Sequence, residues 1–93
     1  MARELTNDEN RNLNILRADA CKARAIAHEL EAAAMEIEAA EDSAWLVHAG
    51  KERKHAADER AAMQRYQSNA SKYARAALID AVRLNPPATN TGD

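Results

Sequence analysis

Between Asn7 and Leu84 this chain holds one glycine, Gly50, and no proline, and that run constrains its fold more than any motif does. The stretch is filled instead with Ala, Glu, Arg, Lys, Leu and Met, the strongest helix formers. Drawn out as one helix it would measure about 117 Å at 1.5 Å per residue. A chain of 93 residues makes one small domain, so the helical run is expected to fold back on itself.

The start and stop signals say where. Thr6-Asn7-Asp8-Glu9 reads as a capping box: the Thr6 hydroxyl accepts from the Glu9 N–H while the Glu9 carboxylate reaches back to the Thr6 N–H. A first helix is predicted over residues 7–41. Asp42-Ser43 then offers a second pair of capping side chains ahead of Ala44-Trp45-Leu46-Val47, which predicts a second helix over 44–84. Asn85-Pro86-Pro87 ends it, because proline lacks a donor and disfavours helix in the residue before it. Residues 1–85 form the helical unit and 86–93 a flexible tail. An isolated glycine costs about 1 kcal/mol in a helix, so the second helix is expected to run through Gly50.

The first helix carries an apolar stripe at Leu13, Leu16, Ala20, Ala23, Ala27, Leu30, Ala34 and Ile37, alternating steps of three and four as a coiled-coil seam does. A second stripe, Ala18, Ala25, Ala32 and Ala39, runs along its far side, with Arg17, Arg24, Glu31 and Glu38 between the two. The second helix has a looser stripe at Ala49, Ala56, Met63, Tyr66, Ala70, Tyr73, Ala77 and Leu84, interrupted by Glu52 and Glu59. The first stripe, with Met63, is the expected seam of hairpin and oligomer.

Charge selects an antiparallel pairing. The first helix is basic in its first half and acidic from Glu29 to Glu41, while the second opens with Lys51, Arg53 and Lys54 before Asp58 and Glu59. Folding back at Asp42-Ser43 sets Lys51–Lys54 beside Glu31–Glu38 and Asp58-Glu59 beside Arg24. Hydrophobic residues make up 46% of the chain, but twenty-three of them are alanines and only thirteen are Leu, Ile or Val. So little large apolar surface requires partner helices. The fold expected is all-α: a long antiparallel helical hairpin assembling into a helical bundle oligomer, a homodimer being the simplest.

A net charge of -2 argues against direct nucleic-acid binding, and no apolar run reaches the roughly 20 residues of a membrane span. The N-terminus does not read as a signal peptide, and a lone Cys21 suits a reducing cytoplasm. There is no phosphate-binding glycine loop, no zinc Cys/His spacing and no nucleophile elbow, so neither catalysis nor a cofactor is expected. Glu52-Arg53-Lys54-His55 has the Glu-x-x-His spacing of di-metal bundles, with His48 near it, but Lys51, Arg53 and Lys54 would repel a cation. It reads as a solvated helix face, and His28 as an ordinary surface histidine; no metal ligand is assigned, and a metal-binding bundle is the third reading.

Tyr66 and Tyr73 share a face among Arg60, Arg65, Lys72 and Arg75, either anchoring a partner or stacking a base, or filling gaps in the seam. With Arg17, Arg24, Lys51, Arg53 and Lys54 they are the candidate partner-contact or ligand-contact residues.

Arg3-Glu4-Leu5-Thr6, followed by Asp8-Glu9, Leu13-Asn14 and Arg17, resembles the opening of phage proteins that sequester cyclic oligonucleotide signals and so blunt CBASS immunity. Those are also small all-helical oligomers. The resemblance spans about a fifth of the chain and implies that Arg17, at a position that is lysine in that family, touches a ligand phosphate. The leading functional expectation is a non-enzymatic interaction protein similar in type to the small inhibitors phages encode against host defence or host machinery proteins. The alternative is an oligomeric sponge for a cyclic oligonucleotide second messenger.

Overall fold

The computed structural model describes residues 3–84 and consists there of two helices, α1 (Asn7–Glu38) and α2 (Trp45–Leu84). The tail expected at 86–93 lies outside the described residues. Among the described residues no helix is long and apolar enough to cross a membrane.

Local chemistry sets the ends. The Glu9 N–H donates to Thr6 Oγ1 at 3.1 Å and the Thr6 N–H donates to Glu9 Oε1 at 3.0 Å, the reciprocal capping box. Arg3 locks it further, holding Glu9 through two 2.6 Å contacts. Those hydrogen bonds, first from Arg3 and then from the Thr6 backbone, bring the Glu9 carboxyl down from 4.5 to about 2.

At its other end α1 stops three residues before the sequence reading placed it. Its last turn has no basic residue and several glutamates face the negative end of the dipole, which weakens the final turn. Glu41 and Asp42 N–H groups then donate to the Glu38 carbonyl at 3.0 and 3.2 Å, winding the chain into the reversal. Asp42 Oδ1 accepts from the Ala44 N–H at 3.0 Å and its carbonyl accepts from the Trp45 N–H at 3.1 Å, which launches α2. Gly50 is passed without a break, as expected, and nothing lies within 4 Å of where its Cβ would stand.

The helices lie antiparallel, and the ion pairs fix the register. Arg24 Nε meets Glu59 at 3.1 Å and Arg60 Nη2 meets Glu29 at 2.8 Å. Arg53 Nε donates to Glu36 at 2.8 Å, and Asn7 Nδ2 to Asp80 at 2.6 Å. The anticipated charge pairing therefore holds at Arg53–Glu36 and Arg24–Glu59.

The seam itself differs from the one expected. The buried residues of α1 are Asn14, Ala18, Cys21, Ala25 and Ala32, so the far-side alanine stripe packs against α2. Leu13, Leu16, Ala20, Ala23, Ala27, Leu30, Ala34 and Ile37 face away; of these Leu13 is half-buried and the others exposed. With Asn14, Cys21, His28 and Met35 between its members the alanine stripe also steps by three and four, so spacing could not choose between the two. The alanine stripe wins because Arg24, His28, Glu29 and Glu36 flank it and meet partners on α2. On α2 the looser stripe is the real one: Ala49, Ala56 and Ala70 are buried, with Met63, Tyr66 and Tyr73 half-buried between them.

Packing small residues yields a thin molecule. Its extents are 81 × 38 × 13 Å and its radius of gyration 21.8 Å. A compact chain of this length would have a radius of about 12 Å. Cys21 is the largest fully buried side chain. The buried Asn14 is satisfied, its Nδ2 donating to the Asn10 carbonyl at 2.8 Å.

Candidate functional site

Two features stand out, one on the outward face of α1 and one at the seam between the helices. The first is the outward face of α1. Leu16 and Leu30 are each 67% exposed and Ile37 is 77% exposed, joined along the helix by exposed Ala20, Ala23, Ala27 and Ala34. Of the thirteen Leu, Ile and Val side chains, twelve are exposed and the thirteenth, Leu13, is half-buried. The outward face of α2 is different: Lys54, Gln64, Arg65, Ser68, Lys72 and Arg75 are exposed there, until Leu78, Ile79 and Val82 near its end. Charge is also divided lengthwise. Residues 29–42 hold six acidic side chains and no basic one, whereas 60–84 hold five basic and one acidic.

The second feature is a cluster at mid-hairpin. His28, projecting from α1, brings Nδ1 to 2.5 Å from Glu52 Oε2 on α2. One turn on, the His55 ring stands edge-on to that of His28 with centroids 5.3 Å apart. One ligand atom from each of the three lies within 4.8 Å of the others. His48 is not a member; its ring tilts against Trp45 at 5.6 Å. The reading of Glu52 as part of a solvated helix face, and of His28 as an ordinary surface residue, is corrected here, while His55 is exposed as that reading had it. Glu52 sits on the seam, half-buried, and so does His28. The missed signal was that Glu52 and Glu59 interrupt the α2 stripe at seam positions, where a carboxylate needs a partner.

One heptad away, Arg24 bridges Glu59 and also approaches Cys21 Sγ at 3.3 Å. The Arg24 hydrogen bond draws the Glu59 carboxyl below its ordinary range, and Glu59 in turn raises the Arg24 guanidinium. Arg17 lies 5.9 Å over the Tyr66 ring, a cation–π distance, and thereby spans the two helices. Arg53 is held by Glu36, while Lys51 and Lys54 are exposed. Tyr66 and Tyr73 are on the seam-facing side of α2, so their rings pack the hairpin first. The structure thus brings Arg17 and Tyr66 together and leaves Lys51 and Lys54 outside. Beside Arg17's turn a shallow groove of about 370 Å³ runs between the helices, lined by Arg11, Ile15, Asp19, Gln67 and Ser71 among others.

No family model matches the chain, and no curated protein or solved structure matches it either.

Proposed function

We propose that this chain is a non-enzymatic interaction protein. It self-associates through the apolar face of α1 and presents the polar face of α2 to a protein target. The observation that supports this is the contrast between the two outward faces: aliphatic on α1, polar and basic on α2. An interior of alanines, one cysteine and Asn14 buries none of the chain's large aliphatics, and an exposed stripe of that kind is an association surface.

A second copy fits the α1 face best when laid antiparallel. The stripe is symmetric end for end in its spacing, so Leu13 of one copy meets the Ile37 end of the other and Leu16 the Ala34 end. The same lay sets the Arg17 end of one helix against the Glu31–Glu38 end of its partner, whereas a parallel lay stacks like on like. Dimerisation leaves Arg65, Lys72 and Arg75 free on α2 for an acidic surface of the target. A host defence or host machinery protein, met in a reducing cytoplasm, is the target class that the resemblance to phage inhibitors suggests.

The test is a pull-down from host lysate with the wild type, the Leu16→Glu/Leu30→Glu variant and the Lys72→Glu/Arg75→Glu variant. Sedimentation should show the first variant as monomer. Capture of one acidic protein by the wild type and its loss in the Lys72→Glu/Arg75→Glu variant supports the reading; equal capture by that variant overturns it. Calorimetry with cyclic di- and trinucleotides tests the sponge alternative. Arg17 laid on Tyr66 is engaged within the hairpin, and no heat is expected.

A further inference from the structure

We propose that His28, Glu52 and His55 bind one divalent transition-metal ion of the zinc class, which clips α1 to α2. Two imidazoles and one carboxylate are the donor set that such borderline ions prefer, and Mg²⁺ and Ca²⁺, which demand oxygen, do not. Geometry comes close to the requirement without an ion. With Zn–N bonds of about 2.0–2.1 Å, tetrahedral ligand atoms stand about 3.4 Å apart. The three donor atoms already lie within 4.8 Å of one another, one pair of them at 2.5 Å. His55 is exposed and Glu52 and His28 are half-buried; coordination draws the His55 imidazole inward and parts His28 Nδ1 and Glu52 Oε2 from 2.5 Å toward about 3.4 Å. Glu52 and His55, three residues apart, share one face of α2, and His28 arrives from the other helix. The three span two elements, and the fourth position is left to water.

The neighbouring guanidinium charges are neutralised within the hairpin. Arg24, Arg53 and Arg60, the guanidinium groups nearest in sequence to the three ligands, are each paired with a glutamate: Glu59, Glu36 and Glu29. Lys51 and Lys54 are exposed. A closed clip at mid-hairpin stabilises a pair of helices whose own seam is almost all alanine, because an ion that binds the folded form alone shifts the equilibrium toward it.

The experiment uses the full chain, stripped with chelator and kept in a non-chelating reductant. Zinc is titrated calorimetrically, and melting is followed at fixed protein concentration with zinc or magnesium. One zinc per chain is expected. At a hundredfold excess over its dissociation constant, zinc should raise the melting midpoint by about 10 °C or more, and magnesium should not. His55→Ala, an exposed position whose loss leaves the seam intact, should keep the apo midpoint and lose the zinc-dependent rise. Glu52→Gln should weaken zinc binding at least tenfold. Absence of zinc-dependent heat and shift in the wild type overturns the site, as does an undiminished shift in His55→Ala. The α1 association surface lies on the other side of the helix, so loss of the metal site leaves the dimer test unaffected.

Discussion

Replacing Leu30 with alanine removes most of a leucine side chain from the outward face of α1 without lowering helix propensity, because alanine is the better helix former. Leu30 is 67% exposed in the isolated hairpin, so nearly all of its effect on stability belongs to association. Fully burying a leucine is worth about 1.5–3 kcal/mol, and two thirds of that is about 1–2 kcal/mol per chain. A two-fold interface counts the change twice, giving about 2–4 kcal/mol, or roughly a 30- to 700-fold rise in the dimer dissociation constant. Sedimentation equilibrium over a dilution series measures it, with far-ultraviolet circular dichroism on the same samples. A dissociation constant within threefold of the wild type would refute the assignment of this face. So would a wild type that is monomeric and fully helical at micromolar concentration.

The seam predicts the opposite response to added bulk: Ala25 is 0% exposed, and Ala25→Leu should overpack it at a cost of about 1–3 kcal/mol, read as a lower urea midpoint. Gly50→Ala should stabilise by about 0.5–1 kcal/mol, because the helix passes through open space there; an unchanged or lowered melting midpoint would contradict that. The Glu9 carboxyl is lowered from 4.5 to about 2, so its contribution is complete above 4.5 and disappears as pH falls toward 2. Glu9→Gln should therefore flatten the acid limb of stability in that window, and an acid titration identical to the wild type would count against the Arg3–Glu9 ion pair.

Local signals were the legible ones. The capping box at Thr6 and Glu9 is read within four residues. The pairing of Glu36 with Arg53 was also legible, since blocks of charge survive a shift of a few residues. The choice of seam was not. Leu16 and Ala18 each belong to a stripe of faultless spacing, and hydrophobicity favoured the wrong one. What decided it was cross-helix chemistry, Arg24 to Glu59 and His28 to Glu52, between residues 35 and 24 positions apart. Glu52 and Glu59 looked like flaws in the α2 stripe, when they mark the places where α1 sends a cation or an imidazole inward. The His28–Glu52–His55 cluster was hidden for the same reason, because one of its three members lies on the other helix.

The two association features act on one equilibrium, and that gives a last test. A hairpin held by an alanine seam and exposed ion pairs has little to sustain it once its α1 face is uncovered. Dissociation and unfolding should then coincide, and Leu30→Ala at high dilution should lose helicity along with its partner. If the zinc clip is real, it stabilises the hairpin without the second copy, since all three ligands come from one chain. Zinc added to dilute Leu30→Ala should restore helicity while sedimentation still reports a species near 10.2 kDa. The same addition to Leu30→Ala/His55→Ala should restore nothing. Recovery of helicity only with recovery of dimer mass would show that zinc bridges two chains and that His28, Glu52 and His55 do not make a complete site within one hairpin.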